Sequence, residues 1–536
     1  MVMNKVFHML LMALATLMGV CLAGCVRDDE AVCPSSRGDK SQAETYITLT
    51  LTLPSSGTRA VSVDGEEADG IEYGTSNEDR IDDISFFLFH IDGWDADGSA
   101  PVIHKGYFDK DNASEWTALH NGVRLTLKIK GYVPEQNDRV IVVANAGETL
   151  MKVRSLGALR DMTEYQAWRQ GESLTQCDRF IISSAFNDPD NGSVQTVGKS
   201  GSLVDPYLSD VRMQRVAARI DFMYSPTENP SGEAPFASLD YKVRQVPGDA
   251  STPVLARMRL RHIIPFNVMQ ESSFITKRVT TDLNISSKPR YGGREERDAD
   301  GLPTNYVLEP HTLSKGTAAE DLTSWYGPTR AQEVFAHPTL HLDGNSVKGF
   351  SRNVRTENGM TFFTVTYANE NTQPMTLHDK KYMTGLLLHA VYVPLQVYAD
   401  GAASVLSHED FTQGRTFWRY TPSQAVTSEN ASIYFDNEAA ALAYKAAQGQ
   451  PMAQVTKFAD GVCYYNVWIR HATVDQAINR TFPMEYGIVR NNIYRIEVDY
   501  VTGPGTPEPD YNESGHASTR IYVRKWNRRE QPTIRL

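Results

Sequence analysis

Tyr46 to Leu53 reads Tyr-Ile-Thr-Leu-Thr-Leu-Thr-Leu, and an alternation this strict leaves the chain little choice of structure. Successive side chains of a strand point to opposite faces, so Ile47, Leu49, Leu51 and Leu53 share one face and the threonines the other. A helix would scatter both sets around its circumference. The segment is predicted to be a strand with one face in a core. Similar signals recur along the chain. Val123 to Ile129 alternates, while Ile84 to Ile91 and Arg139 to Ala146 are apolar on both faces, as in strands at the centre of a sandwich. Further strands are predicted at 218–223, 255–262, 361–367, 386–393, 464–470, 494–501 and 520–525. Helices are few: Met151 to Trp168 is one candidate, and Asn437 to Ala447 is a clearer one, with Asp436 as its N-cap. Many short strands between turn-rich separators predict an all-β protein with a few short helices, built from β-sandwich domains.

Ahead of that first strand lies a segment of another kind. Lys5 and His8 precede an apolar run from Met9 to Val20. A span needs roughly 20 apolar residues, so this run is too short to cross a bilayer and fits the core of a secretory signal. It ends in Leu22-Ala23-Gly24-Cys25, small residues leading into a thiol that can carry a thioether-linked lipid. Cys25 is therefore the expected lipidation site, with Cys21 a competitor that has a poorer run-up. The acidic cluster Asp28-Asp29-Glu30 follows closely.

The chain has 536 residues, enough for two to four domains, and a net charge of −12 without a basic cluster. That balance gives no footprint for nucleic acid. No later stretch is long and apolar enough to span a membrane. Of five cysteines, Cys21 lies in the signal, Cys25 at the lipid site and Cys33 in a polar leader. Cys177 and Cys463 remain, read as two buried thiols, with a single bridge as the alternative. HExxH, GxSxG, Walker A and CxxC patterns are absent, so no catalytic residue, metal or cofactor is assigned. The Asp-rich turns at 95–98, 109–112 and 298–301 lack a full calcium loop and read as acidic turns. His389 and His471, within strand-like runs, read as structural.

The turn-forming stretch 225–235 is the expected linker between two sandwiches. The expected organisation is a signal peptide over 1–24, a leader over 25–59 containing the first strand, an N-terminal domain over 60–228 and a C-terminal domain over 229–536. Polar tracts at 287–301 and 503–514 are read as loops. Pro54 to Val61 forms a polar junction around Arg59, and such junctions are where proteases pull chain into their clefts. A cut between Arg59 and Ala60 would remove the lipid anchor and the alternating strand together.

Near its C-terminus the chain carries Tyr464-Tyr-Asn-Val-Trp468-Ile-Arg-His471, then Pro483-Met-Glu-Tyr-Gly-Ile-Val-Arg490-Asn491-Asn492-Ile-Tyr494, and a strand leading to Trp526. With Thr58-Arg59-Ala60, the strands around Phe86 and Val142, and Arg215-Val-Ala-Ala-Arg219, this resembles the fimbrillins of Bacteroidales type V pili, most closely the shaft subunits of the minor fimbria. The acidic residues after Cys25 resemble the export tag of Bacteroidales surface lipoproteins. The resemblance implies a two-domain, transthyretin-like fimbrillin architecture and a lipidated precursor at the outer membrane. It also implies an arginine-specific protease that cuts at Arg59 and Ala60, and loss of the strand bearing Ile47, Leu49, Leu51 and Leu53. The groove would then be filled by the 519–536 region of another copy or a related fimbrial subunit, with Ile521, Val523, Ile534 and Leu536 as inward residues. Alternatives are a fimbrial tip adhesin, an anchor that keeps its lipid, or a surface glycan binder using Trp94, Trp116 or Trp325.

Overall fold

The computed structural model describes residues 44–53, 71–74, 77–119, 122–164, 168–170, 177–185, 190–224, 239–268, 273–280, 291, 306–308, 340–343, 346–348, 355–357, 360–371, 383–399, 402–405, 413–423, 433–471, 485–509 and 517–527. Cys25, Arg59, Ala60, Trp325, Ile534, Leu536 and the 225–235 linker lie outside them. Among the described residues no helix is long and apolar enough to cross a membrane.

The first seven strands are β1 (Glu44–Thr52), β2 (Ile71–Tyr73), β3 (Asp83–His90), β4 (His104–Asp109), β5 (Glu115–Leu119), β6 (Gly122–Lys130) and β7 (Asp138–Ala144). All but β2 join a nine-stranded sheet in the order β4-β3-β7, Ile182–Ser184, Tyr207–Arg215, β1-β6-β5, with the ninth strand, Val194–Gln195, pairing beside Tyr207–Arg215 off this path. The apolar runs predicted for β3 and β7 are buried on both faces, because the sheet wraps around one core of Phe86, Phe87, Leu125, Leu127, Ile141 and their neighbours. A second core lies between two further sheets. One holds β2, the terminal strand Ala517–Asn527, Asn492–Val501, Ala218–Tyr224 and Met360–Ala368; the other is led by Val254–Phe266, Gly385–Pro394 and Val462–Trp468. Phe222, Phe363 and Tyr494 from the first meet Leu260, Leu388 and Tyr465 from the second. This is the two-layer packing expected of sandwiches.

The Ala218–Tyr224 strand pairs with Met360–Ala368 and with Asn492–Val501, so the chain changes sheets at Val216-Ala217, ahead of the 225–235 stretch. The loop at 503–509 is held down where Tyr464 and Thr506 exchange both backbone hydrogen bonds at 2.9 Å.

Two expectations about helices change. The Met151–Trp168 candidate is a 3-10 turn at Gly147–Lys152 and a five-residue helix at Leu156–Arg160, after which Thr163–Glu164 pairs with Ser273–Phe274. The Glu438–Ala447 helix forms as expected, but its N-cap is Asn437, whose side chain accepts from the Ala440 N–H. Asp436 instead accepts from the Asn437 amide at 2.7 Å. This helix packs on a small five-stranded sheet around Tyr420, Phe435 and Ala453, which had no alternation to announce it.

Cys463 is a free, buried thiol, and burial pushes it up to about 11. His389 stacks on His262 and on Tyr464. His471 Nδ1 lies 2.9 Å from the Tyr494 hydroxyl. Burial lowers both His389 and His471 to about 4, helped by the charges of His262 and Arg261 at the first and Lys277 at the second. Between about pH 6.5 and pH 4 the unfolded chain binds more protons at these sites, so stability falls as pH falls through that window. The expected loss is on the order of 3 kcal/mol per histidine. Urea midpoints at pH 7, 5.5 and 4.5 check it, and His471→Asn is expected to flatten part of the slope.

Candidate assembly site

β1 is an interior strand. It runs antiparallel to β6, from Glu44 opposite Lys130 to Thr52 opposite Gly122, and parallel to the Tyr207–Arg215 strand, from Ile47 opposite Tyr207 to Thr52 opposite Arg212. Its alternation places Ile47, Leu49, Leu51 and Leu53 in the core at 0% exposure. Each such side chain is worth roughly 1.5–3 kcal/mol of burial. Among the described strands β6 has only β1 and β5 as partners, so β1 alone joins the β5–β6 hairpin to the rest of the sheet. Taking β1 away would open a slot lined by apolar side chains and two rows of unpaired backbone groups.

The slot has a defined polar point. Most of the outward row of β1 is half-buried, but Thr48 is only 3% exposed. Its hydroxyl lies 2.9 Å from that of Thr126 on β6, which donates in turn to Glu115 Oε2 at 3.0 Å. At one end the Tyr46 N–H donates to the Gly201 carbonyl at 2.8 Å. At the other end Gly122 is required, since a Cβ there would lie 1.6 Å from the Leu51 carbonyl oxygen. Glu44 and Lys128 pair at 2.7 Å across the β1–β6 edge, and this hydrogen bond lowers the carboxyl and raises the ammonium.

The sequence motifs Arg215-Val-Ala-Ala-Arg219 and Arg490-Asn491 come together where the chain changes sheets. Arg219 is fully buried and donates to Glu78 Oε2 at 3.0 Å and to Asp221 at 2.9 Å. Tyr367 donates to the other Glu78 oxygen at 2.6 Å. Arg215 pairs with Asp79 and donates to the Glu78 carbonyl and to Asn491 Oδ1. Asn491 adopts φ 57° and its N–H donates to the Ala217 carbonyl. Arg490 grips Glu370 with two bonds of 2.8 and 2.7 Å and donates to the Ile275 and Phe274 carbonyls. Glu78 and Asp79 thus fasten the chain downstream of Arg59 to the body, a contact that the spacing of the basic motif did not announce.

Ile521 and Val523 stand opposite Ile496 and Tyr494 in the sheet of their own subunit. The terminal strand pairs there at nine positions, and β2 covers its other edge over Lys525–Asn527. Trp94 is buried, with the Arg139 guanidinium 5.3 Å from its ring, and Trp116 packs partly buried against the N-terminal core. Trp94 therefore offers no open face for a sugar to stack on. The acidic turns are tied locally: Asp97 accepts from Ser99, and Asp109 accepts from the Asp111 and Asn112 N–H groups.

Residues 456–532 match the family described as Major fimbrial subunit protein type IV, Fimbrillin, C-terminal. Over that segment the chain is similar to the C-terminal part of fimbrillins. The match contains the whole Tyr464–Tyr494 signature and the terminal strand, as the resemblance in the sequence implied. Solved structures that align with the chain include the tip fimbrial protein Mfa3 of Porphyromonas gingivalis with a C-terminal truncation, at 11% identity and TM-score 0.33, covering 90% of this chain and 100% of that one. A candidate cell adhesion protein of Parabacteroides distasonis aligns at 13% identity and TM-score 0.36, covering 91% and 98%. Another, from Bacteroides eggerthii, aligns at 10% identity and TM-score 0.34, covering 91% and 98%. Scores this low carry no argument of their own; the likeness to fimbrillins rests on the C-terminal match. No curated protein matches the chain.

Proposed function

We propose that this protein is a structural subunit of a cell-surface fimbria, a type V pilus subunit supporting adhesion and not an enzyme. It is exported as a precursor lipidated on Cys25 and held at the outer membrane. An arginine-specific protease cuts between Arg59 and Ala60, β1 leaves with the leader, and a strand from the 519–536 region of another subunit enters the vacated slot. The observation that carries this reading is the seat of β1: an interior strand, upstream of a cleavable-looking junction, whose loss exposes apolar surface and unpaired backbone together. A replacement strand regains both, with backbone bonds giving affinity and alternate side chains giving register. Because the giving and receiving surfaces differ, the contact is head-to-tail and extends into a filament.

A second reading, a tip or anchor subunit that does not donate, is favoured by the pairing of the terminal strand inside its own sheet. Mass spectrometry of the surface-exposed protein separates the two. An N-terminus at Ala60 is expected for the shaft subunit. A mature form still acylated at Cys25 would overturn cleavage and leave the anchor.

A further inference from the structure

We propose that the β5–β6 hairpin is a shutter: once β1 leaves, the hairpin crosses the empty slot and β6 pairs directly with the Tyr207–Arg215 strand. The inference rests on the loss of β1 proposed above and adds what the subunit does with its slot until another strand fills it.

β1 holds its two neighbours in matching register. Opposite Ile47, Leu49 and Leu51 stand Leu127, Leu125 and Val123 on one side and Tyr207, Ser209 and Val211 on the other. These are the residues whose backbone groups face the slot. The Thr126 carbonyl turns away from β1 to accept from the Ser114 N–H, and the Asp210 and Arg212 carbonyls turn away to accept from the Gly192 and Ala185 N–H groups. Successive residues of a strand direct their backbone groups to opposite sides, so the odd-numbered ones point at β1. β6 runs antiparallel to β1 and the Tyr207–Arg215 strand parallel to it, so the two are antiparallel to each other. Brought together, they form a ladder in which Leu127 bonds to Tyr207, Leu125 to Ser209 and Val123 to Val211, with no slide and no flip. Every inward side chain stays inward.

The same register brings Arg124 opposite Asp210, since both now flank Thr50. Both side chains are exposed. They meet at a position between hydrogen-bonded pairs, where side chains approach closest, and opposite charges facing each other there favour the pairing.

The hairpin can travel as one piece. β5 pairs with β6 from Glu115 opposite Thr126 to Leu119 opposite Gly122, and among the described strands it has no other partner. Thr126 keeps its bond to Glu115 Oε2 when Thr48 is gone. The chain leaves β6 through Gly131, whose φ of 73° suits a backbone joint, and is fixed again by Tyr132 and the Glu135 N–H, both donating to Asp138 at 2.7 Å. The distance to cross is one strand spacing, about 4.8 Å. Closure re-pairs the two open backbone rows and covers the apolar edge, which is what an open slot most lacks.

Full-length precursor carrying Arg124→Cys and Asp210→Cys is cut with an arginine-specific protease in dilute solution and oxidised mildly, and the linked peptides are identified by mass. In uncut precursor β1 keeps the two positions two strand spacings apart, about 10 Å, beyond the reach of a disulfide. The bond is expected to rise at least about tenfold on release of the leader, and not when Arg124→Cys is combined with Leu208→Cys or Arg212→Cys, the positions of a two-residue slip. With Thr126→Cys and Leu208→Cys as the reporting pair, Arg124→Glu is expected to lower the bond about two- to fivefold and added Asp210→Arg to restore it. Size-exclusion chromatography of the same sample follows the leader. A released leader without the 124–210 bond, or a bond through 208 or 212, overturns the shutter. A leader that stays on the body after the cut sinks the strand-loss reading instead. The shutter is then judged on uncut precursor carrying Leu49→Asp and Leu51→Asp, in which β1 cannot stay seated, and absence of the 124–210 bond there overturns it.

Discussion

Precursor carrying Arg59→Ala, treated with an arginine-specific protease, is expected to stay monomeric under conditions in which the wild type forms filaments. The drop in sedimentable material should be at least hundredfold. The reason lies in the seat of β1. Four fully buried side chains and hydrogen-bonded neighbours on both sides hold this strand in the sheet. At roughly 1.5–3 kcal/mol for each apolar side chain, spontaneous loss of the strand is rare while it remains part of the chain. Arg37 lies upstream of the strand, so a cut there leaves the slot filled. Arg80 lies beyond Glu78 and Asp79, so a cut there would separate β1 from the body but also part the buried ion cluster from it. Arg37→Ala is therefore the control that should behave as wild type. Filament formation by Arg59→Ala at the wild-type level would sink the activation scheme.

The second large effect is expected at Arg490. Arg490→Met should cost about 3–5 kcal/mol, because Glu370 is left buried without its counter-charge. The side chains of Arg490 and Glu370 are both fully buried in this pair, and Arg490 also serves two backbone carbonyls. Replacing Glu370 as well, in Arg490→Met with Glu370→Leu, should recover much of the loss, since an apolar pair of similar volume avoids the unpaired charge. Urea unfolding of the two single variants and the double variant gives the coupling energy directly. Independent, additive losses would mean that the two side chains do not act as a pair.

Much of the fold was legible because alternation reports which face of a strand is buried. The pattern at 46–53 identified the four core residues of β1, and the strands at 123–129 and 494–501 form close to where they were expected. Alternation does not report partners. Nothing local tells Leu49 that it will lie between Leu125 and Ser209, because those contacts are fixed by chain closure over many residues. The same holds for the basic motif: Arg215 and Arg219 stood out in sequence, yet their acids Asp79 and Glu78 lie 136 and 141 positions away. The Met151–Trp168 helix failed for a different reason. Ser155 caps a helix there, but Asp161 ends it within five residues and tertiary pairing takes Thr163–Glu164 into a strand. The 396–458 sheet was missed because its strands are three to five residues long, too short for a period to register.

Under the proposed scheme, the interior placement of β1 would also set the timing of assembly. While it is joined to the body, the strand competes for its slot at an effective concentration in the millimolar range, a level no separate subunit reaches in transit. Breaking one peptide bond would turn it from a tethered plug into a separate strand on the lipidated leader, from which the cut subunit can depart once the two dissociate. Rebinding would then be second-order. A single hydrolysis would thus act as a ratchet, holding the subunit inert until it is cut and making its commitment effectively irreversible afterwards.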